Sequence, residues 1–119
     1  MLATPGVVDL VLKEKGDRSW KLVLEVNAGE WELPRAVHLL EEKLNAYAGY
    51  VLDGMMQEMY PASHPSRTRI VVAAVEPFPD KAVWLLDKVK LALRPHQMEL
   101  EWDAKGGMPK GGLAKPEGM

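Results

Sequence analysis

The sequence predicts an α+β two-layer sandwich: a four-stranded mixed sheet, ββαβαβ in chain order, with two helices packed on one face. Three observations predict it. Apolar residues alternate with polar ones over residues 19–27 and 97–103, the period of a half-buried strand. From 37 to 59 and from 82 to 93 they recur instead at three- and four-residue steps, the period of an amphipathic helix. Between the two helical stretches, residues 68–75 hold a continuous apolar run, from Ile70 to Val75, which suits a strand covered on both sides by neighbours. Two β-α-β crossovers of the usual right hand then bring both helices to the same face.

Val7, Val8, Leu10, Val11 and Leu12 open the first strand, over residues 7–13, and Lys15-Gly16-Asp17-Arg18 supplies turn chemistry. The second strand follows, with Trp20, Leu22, Leu24 and Val26 on one side and Lys21, Val23, Glu25 and Asn27 on the other, so the pair reads as a hairpin. Pro34 suits the first turn of a helix, and Glu30 and Glu32 favour the positive end of its dipole. The apolar face of that helix is expected to be Val37, Leu40, Leu44, Tyr47, Ala48, Val51, Met55 and Met59, with Gly54 a point of break or bend and Pro61 and Pro65 ending it. In the third strand Ile70, Val72 and Ala74 share one face, and Val71, Ala73 and Val75 the other. A second helix is expected from about 79 to 94, its core face Ala82, Leu85, Leu86, Val89, Ala92 and Leu93, stopped by Pro95. In the last strand Met98, Leu100 and Trp102 oppose Gln97, Glu99, Glu101 and Asp103. The expected sheet order is 1-2-3-4, with strands two to four parallel and strand one antiparallel at an edge; 2-1-3-4 is the alternative.

The chain has 119 residues, 47% hydrophobic and 27% charged, with a formal charge of −2 and no cysteine. That composition excludes a wholly disordered chain and a disulfide scaffold, and removes thiol nucleophiles and cysteine zinc sites. One domain is expected over residues 1–103. A Gly/Lys/Pro-rich tail follows over 104–119, made basic by Lys105, Lys110 and Lys115 and expected to be flexible. No apolar run reaches the length of a membrane span, and the first residues lack a secretory pattern, so the expected compartment is the cytoplasm.

Several segments resemble a family of small uncharacterised bacterial proteins, a domain of unknown function. They are Pro5-Gly6-Val7-Val8-Asp9, Trp31, the helical run from His38 to Tyr47, Tyr60-Pro61, the valine-rich third strand and Leu86-Asp87-Lys88-Val89-Lys90. The resemblance covers roughly residues 5–103 and is most specific in the long helix. It implies a bacterial source and this compact α+β unit, and no activity. Trp84 and Leu91 depart from the family pattern, which has acidic residues there, and the tail departs too.

Few constellations carry chemistry. His38, Glu41 and Glu42 share a helix face at a spacing that can ligate a divalent metal, but they make only a partial set of ligands, with His64 far along the chain. A solvated helix face explains them as well. Ser63-His64-Pro65-Ser66 sets hydroxyls beside an imidazole without an orienting carboxylate, so loop chemistry is the better explanation. The tail's Gly107-Met108-Pro109-Lys110-Gly111-Gly112 lacks the Lys-Ser/Thr ending of a phosphate loop. Arg67 and Arg69 could meet phosphates, but they sit on an acidic domain without an aromatic stripe, and nucleic acid is not expected.

Two apolar surfaces stand out. Helical geometry places Trp84 and Leu91 opposite the core face of the second helix, beside Lys81 and Lys88, an arrangement typical of a binding anchor. The sheet face away from the helices is expected to carry Val7, Val11, Val23, Val71, Ala73 and Val75 within a charged border. The chain's own tail could cover that face instead. The expected function is therefore non-catalytic: a small protein that binds itself, as a homodimer, or another protein, with Trp84, Leu91, Val11, Val23, Val71 and Ala73 as the contact residues. An immunity- or antitoxin-type inhibitor is one acidic example of that class. The alternative is a small enzyme or metal-binding protein using His38, Glu41 and Glu42. No cofactor, metal or membrane partner is expected.

Overall fold

In the computed structural model, described for Leu2, Leu10–Lys13 and residues 19–104, the alternation of the sequence becomes the two faces of one sheet. The strands are β1 (Leu10–Lys13), β2 (Trp20–Val26), β3 (Thr68–Ala74) and β4 (Glu99–Ala104), in the order β1-β2-β3-β4. β1 is antiparallel to β2, and β2, β3 and β4 run parallel. The order is the expected one; the alternative 2-1-3-4 is not adopted. The first strand's residues 7–9, its turn at 15–18 and the tail beyond Ala104 lie outside the described residues.

Buried residues stack in register across the parallel strands. Leu22, Ile70 and Leu100 form one row; Leu24, Val72 and Trp102 form the next. Helices α1 (Ala36–Leu52) and α3 (Asp80–Leu93) cover these rows, α1 through Leu40, Leu44, Tyr47 and Val51 and α3 through Ala82, Leu85, Leu86 and Leu93. The Tyr47 hydroxyl donates to the carbonyl of Val23 at 3.0 Å, pinning α1 to the sheet.

Three local expectations are corrected. Val11 does not lie on the open face: register pairs it with Leu22, on the covered side, and it packs against the core. Leu10, opposite Val23, and Leu12, opposite Lys21, take the open side. A β1 sequence apolar at every position but the last carries no alternation from which to choose a face.

The first helix also begins after the proline expected in its first turn, and it ends earlier than its apolar period suggests. Arg35, with φ 61°, precedes Ala36, so Pro34 stands outside the helix. Glu30 and Glu32 form a separate 3-10 turn, Glu30–Glu32. The Glu30 carboxylate does not serve a helix end; it accepts from the amides of Asn27 at 2.7 Å and Leu2 at 3.1 Å. At the other end Gly54, with φ 89°, breaks the helix and a short α2 (Met55–Met59) resumes in a new phase. Met55 and Met59, expected in the core, face solvent, and Met56 is buried in their place.

Candidate interaction surfaces

The helical layer has an outer as well as an inner face. The turn of α3 that sends Ala82, Leu85 and Leu86 to the core sends Trp84 and Leu91 to solvent, 64% and 59% exposed. Between α3 and α1 runs a groove of about 570 Å³. Val37, Leu85, Val89 and Ala92 make it apolar, and Trp84, Lys81, Lys88 and Glu41 rim it. Ala92, expected in the core, is an exposed lining residue of this groove instead, because α3 rests on the sheet through Leu86 and Leu93. The Lys88 ammonium sits 4.3 Å from the centroid of the Trp84 ring, a cation–π contact that steadies the indole in an open position.

On the neighbouring face of α1, His38 Nε2 lies 3.2 Å from Glu42 and Nδ1 lies 3.9 Å from Glu41. All three side chains are about half exposed, on a helix surface rather than in a cavity. Both imidazole nitrogens thus face carboxylates of the same helix, and among the described residues no group of three or more His, Cys, Asp or Glu is arranged to hold a metal ion. His64 serves its own loop. Its Nδ1 accepts from the Ser66 amide at 3.2 Å and meets the Ser66 hydroxyl at 2.8 Å, capping the 3-10 turn Pro65–Arg67.

The open sheet face carries Leu10, Val23 and Val71 in one register row. Lys21 and Arg69 form the row on one side, Glu25, Ala73 and Asp103 the row on the other. Val23, Val71 and Ala73 are half-buried, while Leu10, Leu12 and Val75 are exposed. Arg69 bonds Glu101 across strands at 3.1 Å, and with Arg67 it lines a small polar hollow of about 200 Å³ at the start of β3. The Val7 expected on this face lies outside the described residues.

Residues 2–106 match DUF6572, a family of unknown function. The chain belongs to that family. No curated protein and no solved structure matches the chain. The DUF6572 match spans every described element, so the groove between α1 and α3 lies within the family's own extent rather than on an addition to it.

Sequence reasoning found Trp84 and Leu91 because helical phase alone exposes them. It missed the groove, which exists only once α1 lies beside α3. It also missed Lys43, whose side chain is wholly buried within α1's inner face. Buried lysines are rare enough that no pattern of spacing announces them.

Proposed function

We propose that this DUF6572 domain works without catalysis, as a protein–protein interaction module of the bacterial cytoplasm, and that it self-associates through the groove between α1 and α3. The observation that carries this reading is Trp84, a large ring 64% exposed on the rim of an apolar groove. Tryptophan is enriched among the anchors that dominate binding energy. Charge supports a second copy as the first partner. A two-fold axis laid along the groove sets α3 of one copy over α1 of the other, so the lysines Lys81 and Lys88 face Glu41 of the second copy. An axis laid across the groove would oppose lysine to lysine.

The area sets the strength. A face two helices wide and about 20 Å long buries roughly 400 Å² per copy, half of a standard interface. Self-association is therefore weak and concentration-dependent. Sedimentation across micromolar to high-micromolar concentrations should show a monomer–dimer equilibrium that Trp84→Ala abolishes. Lys88→Glu should weaken it and Lys88→Glu with Glu41→Lys should restore it. A monomer at every concentration, or a dimer untouched by Trp84→Ala, overturns the reading.

A further inference from the structure

A second surface, independent of the helical groove, lies along the outer edge of the sheet. β4 closes the strand order and pairs with β3 alone among the described residues, so the other side of its backbone is an open ladder of donors and acceptors. A groove of about 390 Å³ follows that edge, lined by the consecutive residues 97–101 and overhung by Lys90 of α3 and Arg94 just beyond it. We infer that this edge is a receptor for an extended peptide strand whose side chains alternate between acidic and basic.

The alternation follows from the charges that flank the edge on its two sides. On the helix side stand Lys90 and Arg94, neither with a carboxylate partner among the described residues; Lys90 instead lies 5.7 Å from the Trp102 ring. On the open side β4 projects Glu99, Glu101 and Asp103, of which Glu101 is bonded to Arg69. A strand added to β4 places successive side chains on opposite faces. Its residues on the helix side meet two cations and those on the open side meet carboxylates, so a Glu/Lys alternation satisfies both at once. The same charges reject β4 of a second copy, which would set carboxylate beside carboxylate and cation beside cation. Main-chain bonds supply affinity in such strand addition, and the flanking side chains supply selection.

The test uses the full chain and a short fluorescent peptide of alternating glutamate and lysine, read by anisotropy, against a peptide of the same residues in two blocks. The alternating peptide should saturate the protein at least about tenfold more tightly than the block peptide. Arg94→Glu, at an exposed position, and Lys90→Glu with Arg94→Glu should each weaken it, by about tenfold for the pair, with the circular dichroism of the fold retained. N-methylating alternate amides should abolish binding in one phase and spare it in the other, since a strand presents only every second amide to its neighbour. Trp84→Ala should leave peptide binding intact, which separates this edge from the self-association groove. Equal binding of the block peptide would mean mere charge attraction and overturn the inference. So would binding that survives N-methylation in both phases, or an affinity indifferent to Arg94→Glu.

Discussion

Tyr47 shows how much one atom does at the residue scale. Its ring is fully buried and its hydroxyl reaches the Val23 carbonyl, so removing that oxygen deletes a hydrogen bond between α1 and the sheet. Tyr47→Phe should cost about 1 kcal/mol in denaturant unfolding, with the slope of the transition unchanged. Gly54 has open space around the position of a Cβ, yet its φ of 89° belongs to the left-handed region. Gly54→Ala should therefore destabilise the protein by about 1 kcal/mol through backbone strain alone. Tyr50 reports on the same corner. Burial first, and Tyr60 second, raise its pKa above the ordinary 10.0, while its hydroxyl donates to the Met59 sulfur at 3.6 Å. Because the folded value is the higher one, its contribution to stability is complete below pH 10.0 and fades as pH rises through the folded pKa. Phenolate absorbance of the folded protein should lose a component titrating above 10.0 when Tyr50→Phe is made. Of these three only the break at Gly54 was legible in the sequence; a tyrosine shows there neither its partner nor its depth.

Elements were legible wherever the pattern had a period, and illegible where it did not. β2, β3 and β4 alternate or are flanked by strands, and their buried faces emerged as expected. β1 repeats Leu-Val-Leu with no polar punctuation, so only the register against β2 could assign Val11 to the covered side. The helix after Gly54 is the sharper case. An unbroken helix would keep Met55 and Met59 on the stripe of Val51, but the left-handed glycine rotates the next turn and brings Met56 inward. The consequence is measurable: Met56, 1% exposed, should cost roughly 2–5 kcal/mol as Met56→Ala, whereas Met59→Ala, at 68% exposure, should stay within about 0.5 kcal/mol of the parent.

At the scale of the whole molecule the order of strands was legible, because two right-handed crossovers leave few ways to arrange four strands. What lies between elements was not. The groove of α1 and α3, and the loop contacts that tie the ends of β2 and β3, depend on distances across the chain. In one of those contacts Glu76 receives the Gly29 amide on its side chain and the Trp31 indole on its carbonyl, beside the Trp31–Phe78 ring pair. The parallel pairing of β2 with β3 and β3 with β4 has a consequence for biosynthesis. β3 is apolar on both sides and stays an unprotected margin until the ribosome has delivered the last strand. A chain halted before Glu99 should accordingly precipitate or be captured by chaperones during translation, while the same chain extended through Ala104 should remain dispersed.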